Sequence, residues 1–302
     1  MHHVTPVGSV VVAVDVDAPV EPVLAAAAAL AASTRRPLHV VNATGVGIVP
    51  WTAPMLQRQE AKLRELRDRL ATLGEMSVTS CTALESPAAA IVRASADAEL
   101  VVIGSGRLGR LAGEVLGATT HQVAMHSRCP VLVVPDGLDL PEHGPVVVGV
   151  DTGEHSRPAI GLAFAEASRR SAPLVAVHAW WLEHPGAFDD ASRWAGGEHP
   201  AYDAEELSVS EMMAGWAEKY PDVVVRTEIL RGEPVPVIRE VARSAQLLVV
   251  GSRGSGGFVG LLLGGVSSRL LHGSPCPVLV VPSAARPALE PAQPTSRVST
   301  PA

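Results

Sequence analysis

The strongest constraint on what this chain can fold into is that it repeats itself. Residues Pro87 to Pro135 align without a gap on Pro234 to Pro282, at a constant offset of 147, and both segments end in Cys-Pro-Val-Leu-Val-Val-Pro. The upstream parts align at an offset of 136: Val10-Val-Val-Ala-Val-Asp15 falls on Val146-Val-Val-Gly-Val-Asp151, and Pro37–Val41 falls on Pro173–Val177. The 11 extra residues of the second copy lie between Trp180 and about Asp203, a stretch with Gly, His and Trp that reads as an enlarged surface loop. A repeat this long is a domain-sized unit, and 302 residues suffice for two such units, each with its own core.

Each copy alternates strand and helix. Val10 to Asp15 is a continuous apolar run ending in a carboxylate, as a strand buried on both faces of a parallel sheet would be. Pro19 to Thr34 is an alanine-rich helix, Leu38 to Ala43 a second strand, and Leu56 to Leu73 a helix with Leu56, Leu63, Leu66, Leu70 and Leu73 on one face. A weaker strand at Ser77–Ala83 precedes a helix opened by Pro87. Leu100–Ile103 and Val131–Val134 are the last two strands, with a helix over about Leu116 to Ser127 between them. Five strands alternating with helices in each copy predict two tandem doubly wound α/β domains, each a five-stranded parallel sheet with helices on both faces. The expected boundaries are 1–138 and 145–283, with a Pro-, Ala-, Ser- and Thr-rich tail over 284–302 that lacks an apolar period and is expected to be disordered.

Composition excludes several functions. With 24 Lys and Arg against 31 Asp and Glu there is no broad basic surface for nucleic acid. The longest apolar stretch, Val23 to Ala32, is far short of a membrane span, and no signal-peptide pattern opens the chain, so a cytoplasmic protein without a membrane partner is expected. Cys81, Cys129 and Cys276 form no Cys-x-x-Cys pair, which argues against a zinc cluster or disulfide framework and for small buried side chains.

The chemistry sits in the glycine clusters. In the second copy Leu247-Leu-Val-Val runs into Gly251-Ser252-Arg253-Gly254-Ser255-Gly256-Gly257, followed by Gly264-Gly265-Val266-Ser267. A strand that ends in glycines and leads to a helix lets bare amides approach phosphate oxygens, with the helix N-terminus adding a favourable dipole. Ser267 can donate a hydroxyl and Arg253 a charge. Either feature alone has a plainer explanation, since glycine turns also serve packing and an aspartate after a strand, such as Asp15 or Asp151, is often only a helix cap. Their joint recurrence in both copies favours a site.

The spacing Gly251-x2-Gly254-x9-Gly264, with Asp151 closing the first strand and Cys276-Pro-Val-Leu-Val-Val281 the last, resembles the ATP-binding branch of the universal stress protein family, over about Val10 to Pro282 and in both copies. The resemblance implies an adenine nucleotide alpha-hydrolase-like fold that binds ATP, or a related adenine nucleotide, with Mg2+ carried on its phosphates. It places Asp151 and Asp15 against the nucleoside, Val177 and Val41 against the adenine through their backbones, and Gly149 and Ala13 beside them. The glycine loop and following hydroxyls would hold the phosphates: in the first copy these are Gly104, Arg107, Gly109, Arg110, Gly117, Thr119 and Thr120. It also implies that the two final strands pair, joining the domains, and a homodimer of the whole chain is a further candidate assembly.

This chain departs from the family pattern where Ser or Thr follows the last glycine: it has Gly264-Gly265 and Gly117-Ala118, leaving Ser267 and Thr120 as the remaining hydroxyls. Arg107 also stands where the second copy has Gly254, so its side chain either fills that cradle or holds a phosphate. The second site is therefore the better candidate. Gly104-Ser-Gly-Arg-Leu-Gly109 fits a dinucleotide motif formally but follows the fourth strand, and neither a Walker motif nor His-Glu-x-x-His occurs. His121, His126 and His178 read as packing or surface residues rather than ligands. No nucleophile or second carboxylate recurs beside the aspartates, so a regulatory nucleotide-binding protein stands ahead of a slow ATPase or a nucleotide-free scaffold.

Overall fold

The computed structural model describes residues 4–43, 52–72, 76–106, 116–137, 143–180, 200–254 and 262–283. The first repeat runs β1 (Ser9–Val14), α1 (Glu21–Thr34), β2 (Leu38–Ala43), α2 (Ala53–Ala71), β3 (Val78–Ala83), α3 (Pro87–Ala94), β4 (Ala98–Gly104), α4 (Ala118–His126) and β5 (Val131–Val134). The second runs β6 (Val146–Gly149), α5 (Arg157–Arg170), β7 (Leu174–Trp180), α6 (Pro200–Lys219), β8 (Val225–Arg231), α7 (Pro234–Val241), β9 (Leu247–Gly251), α8 (Gly265–Leu271) and β10 (Val278–Val281). The predicted order of elements is present in both copies. The tail 284–302, Leu73 and the loop residues 181–199 lie outside the described residues, and the expected loop ends earlier than the sequence suggested because α6 begins at Pro200.

All ten strands form one sheet in the order β3-β2-β1-β4-β5-β10-β9-β6-β7-β8. Within each repeat the strands are parallel, and the first strand lies between the second and fourth, so the chain direction of winding reverses there. The repeats meet at an antiparallel pair, with Val278 opposite Val133, Leu279 opposite Leu132 and Val280 opposite Val131. This is the expected pairing of the last strands. It consumes two apolar edges that would otherwise present open ladders to water or to other chains.

Burial on both faces follows from the pleat. Val10, Val12 and Val14 of β1 pack with Leu24 and Leu63 under α1 and α2, while Val11 packs with Ile91 and Val123 under α3 and α4. The same division places α5 and α6 on the first face and α7 and α8 on the second. Of the predicted leucine stripe of α2, Leu63, Leu66 and Leu70 are buried, and Leu56 is half-buried at the open end.

One buried charge cluster crosses the seam. The Glu166 carboxylate on α5, 2 % exposed, receives the guanidinium groups of Arg169 and Arg170, and Arg169 Nη1 reaches across to Ser33 Oγ of α1 at 3.0 Å. Burial pushes this carboxyl up, and the two guanidiniums more than reverse that, holding it below the usual carboxylate range. A folded-state pKa below the unfolded one contributes stability above the unfolded value, and loses it as pH falls through the folded one. Removing the carboxylate would strand two partly buried cations, so Glu166→Gln is expected to cost about 3 kcal/mol at neutral pH. Urea unfolding across the acid range checks this: the difference between wild type and Glu166→Gln should shrink as pH falls.

Candidate functional site

The C-terminal edge of the second repeat opens into a cleft of about 500 Å³ between the ends of β6, β7 and β9. It lies beside the central strand, at the point of the sheet where open α/β folds hold ligands. Gly149, Val150 and Asp151 form one wall, Gly251, Arg253 and Gly254 the second, and Gly264, Gly265, Val266 and Ser267 the third. Pro234, Ile238 and Ala179 line an apolar end.

Asp151 both shapes a turn and forms a wall. Its Oδ1 accepts from Gly153 N–H at 2.9 Å and from the Ser156 hydroxyl at 3.0 Å, and its own N–H donates to Ser156 Oγ at 3.1 Å, which fixes the turn into α5. Its Oδ2 faces the glycine loop so closely that a Cβ at Gly254 would lie inside van der Waals contact with it. Carboxylate and loop glycine are thus brought together, and a side chain at 254 would have to displace the Asp151 carboxylate. The plainer helix-cap reading does not hold, since the residues flanking the helix start are Gly153 and Ser156 and neither end carries a side-chain cap.

The glycine loop is tied down by its own backbone. Ser252 N–H donates to Val281 O and Gly264 N–H to Ser252 O, each at 2.7 Å. The first bond of α8 runs from Ser268 N–H to Gly264 O at 2.9 Å, so the amides of Gly265, Val266 and Ser267 meet no carbonyl inside the helix. With seven residues α8 is short, and the cradle rests on these turn amides more than on a dipole. A Cβ added at Gly265 would meet nothing within 4 Å, so packing does not demand glycine there.

Several expected roles need correction. The Ser267 hydroxyl donates to Gly251 O at 2.6 Å and that of Thr120 to Gly104 O at 2.8 Å, so both lock strand to helix instead of facing a phosphate. Val177 is fully buried with its carbonyl taking Val150 N–H, because it sits one pleat repeat below the sheet edge; Ala179, two residues on and on the same face, lines the cleft in its place. Val41 is likewise a core residue. Arg253 is exposed on the rim, Val266 is 38 % exposed beside it, and Ser252 is buried. Ser255, Gly256, Gly257, Arg107, Gly109 and Arg110 lie outside the described residues.

Sequence reasoning also missed His178 and Ser156. His178 lines the cleft, with Nδ1 2.9 Å from Val150 O and Nε2 3.2 Å from Glu205 of α6. It thereby joins the cleft wall to the helix that follows the inserted loop. Its signal was its position one residue after Val177, at the strand's end, where side chains reach the cleft.

The first repeat keeps the plan and changes the contents. Asp15 is exposed, its Oδ1 accepts Asp17 N–H at 3.0 Å, and Val20 stands where the second repeat has Ser156. Ala13 puts a methyl where Gly149 leaves room, a place where a Cβ in the second repeat would crowd Ile238 at 3.3 Å. Gly106 and Gly117 press their backbones together, so a Cβ on Gly117 would lie 2.9 Å from Gly106 O. The Asp136 carboxylate accepts the Ser105 hydroxyl at 2.9 Å and stands beside Gly104, placing negative charge at this phosphate loop. Thr119 is half-buried on α4.

A ten-stranded sheet made of two doubly wound repeats, with an aspartate facing a glycine loop, defines a tandem α/β protein. The family comparison agrees: the Universal stress protein family model matches residues 7–135 and again 143–282, and the chain belongs to that family. A universal stress protein of Mycobacterium tuberculosis is 35 % identical over 274 residues, covering 83 % of this chain and 88 % of the relative. A second from the same species is 38 % identical over 201 residues, covering 64 % and 66 %. Among solved structures, a protein of unknown function from Pseudomonas aeruginosa aligns with a TM-score of 0.68 at 19 % identity, over 91 % of this chain and 92 % of its own. A universal stress protein of Archaeoglobus fulgidus aligns with a TM-score of 0.64 at 18 % identity, over 91 % and 98 %. At these identities the structures support the fold.

The Asp151–Gly254 approach yields a direct test. Gly254→Ala is expected to destabilise the protein by about 1–3 kcal/mol through overpacking against Oδ2. Combined with Asp151→Ala the penalty should largely vanish, and a double-mutant cycle by urea unfolding measures the coupling.

Proposed function

We propose that the chain binds ATP in the second-repeat cleft, one molecule per chain, and acts as a cytoplasmic regulatory module whose loops report occupancy. The observation that carries this is the cleft itself: about 500 Å³, within the range of small-molecule sites, with an apolar end, a carboxylate at its middle and turn amides at its far end. In this reading the adenine lies against Ala179, Pro234 and Ile238, Asp151 takes the ribose hydroxyls, and the amides of Gly265 to Ser267 receive the phosphates with Arg253 above them. In this reading Mg2+ is held through the phosphates of the nucleotide.

Three features support a single site. Gly265 is open where packing does not require glycine, whereas Gly106 and Gly117 fill their own cradle. Ala13 and Asp136 add bulk and negative charge in the first repeat. No helix among the described residues is long and apolar enough to cross a membrane, and the three cysteines are free and buried, which fits a reducing compartment.

Calorimetric titration with Mg–ATP tests the proposal. The expected stoichiometry is near one, and Asp151→Ala and Gly265→Val are each expected to weaken binding at least about tenfold, or 1.4 kcal/mol. At Gly265 an added Cβ meets no described atom within 4 Å, so thermal unfolding of Gly265→Val serves as the control for folding. Absence of heat with wild type would end the nucleotide reading, and a stoichiometry of two would end the single-site one.

A further inference from the structure

A second cavity, of about 700 Å³, lies on the open flank of the first repeat beside β2, β3 and α3, and its lining includes Cys81, Thr82 and Arg93 but neither Asp15 nor Gly104. Beside it Cys81 Sγ lies 3.5 Å from His39 Nε2, and the other ring nitrogen, Nδ1, lies 2.8 Å from Thr79 Oγ1. His39 is 2 % exposed. When Nδ1–H donates to the Thr79 hydroxyl, Nε2 is left bare towards the thiol, the arrangement in which an imidazole accepts a proton.

We propose that Cys81 is a reactive thiol, deprotonated by His39 and oxidised by small peroxides that enter this cavity. Arg93, paired with Glu85, puts a cation on the cavity wall. In the step, the thiol proton passes to His39 Nε2 and the sulfur attacks one peroxide oxygen. The S–O bond forms as the O–O bond breaks, and the leaving hydroxide takes the proton from His39 and departs as water. Sulfur is oxidised by two electrons to a sulfenic acid and the peroxide is reduced.

The other two thiols provide the contrast. Cys129 and Cys276 sit in the core beside the Ser127 and Ser274 hydroxyls, with burial pushing them up to about 12 and about 11. Burial raises Cys81 as well, with Arg93 lowering it and Glu85 raising it, and among the described residues Cys81 is the thiol that faces an imidazole. The device belongs to one repeat: Val175 and Glu228 hold the corresponding positions in the second, as the β2–β3 and β7–β8 registers show.

The test treats native protein with hydrogen peroxide and then dimedone, and maps adducts by peptide mass spectrometry. One adduct on Cys81 is expected, with Cys129 and Cys276 unmodified. Iodoacetamide should alkylate Cys81 at least tenfold faster than either, and His39→Asn should remove most of that advantage. Cys81→Ser should leave the Mg–ATP titration unchanged. Cys81 reacting no faster than the other two, or at the same rate in a folded His39→Asn variant, overturns the proposal. Should His39→Asn fail to fold, the comparison among the three wild-type thiols still decides it.

Discussion

The antiparallel pairing of Val131–Val134 with Val278–Val281 is the interaction on which the rest of the molecule depends. Each repeat ends in a short, wholly apolar strand, the last element of that repeat among the described residues. Left unpaired, it would expose a ladder of backbone groups and a hydrophobic edge. Pairing the two ends turns two five-stranded sheets into one of ten strands and fixes a pseudo-twofold relation between the repeats. It also brings α4 and α8 together, so that Leu116 N–H donates to His272 Nδ1 at 3.2 Å and Ser268 Oγ stands 3.4 Å from His121 Nε2. Because the pair is antiparallel, the two glycine turns lie at opposite edges of the sheet.

The two repeats hold different residues at corresponding positions. In the second repeat, Gly149 and Gly254 keep side chains out of the cleft, and Ser156 holds Asp151 in place. The first repeat has Ala13 at the floor, Val20 in place of the serine and Asp136 beside its glycine turn. Each change is small. Together they convert a cradle into packed structure at that end, while a separate cavity opens over β2 and β3.

The fold was legible because its signals were redundant. A buried parallel strand needs a continuous apolar run, and Val10–Val14 and Val146–Val150 could hardly be read otherwise. The motif also located Asp151, Gly254 and Gly264 correctly on the cleft. Side-chain direction was harder. Ser267 and Thr120 sit beside a phosphate loop in sequence, yet the nearest acceptor for each hydroxyl is the last carbonyl of the preceding strand. Val177 was misplaced by one pleat repeat, since sequence alone does not show how far a strand extends beyond its neighbours before the sheet ends. The His39–Cys81 contact spans 42 residues and depends on the β2–β3 register, which no local pattern carries.

The central claim is that one of two duplicated sites accepts a nucleotide. Backbone amide NMR of isotope-labelled protein during Mg–ATP addition reads it residue by residue. The amides of Ala179, Gly251, Gly254 and Gly265 to Ser267 should shift together along one saturable curve, while those of Gly104, Gly106 and Gly117 move little. Equal shifts in both repeats, or shifts confined to the first, would contradict it.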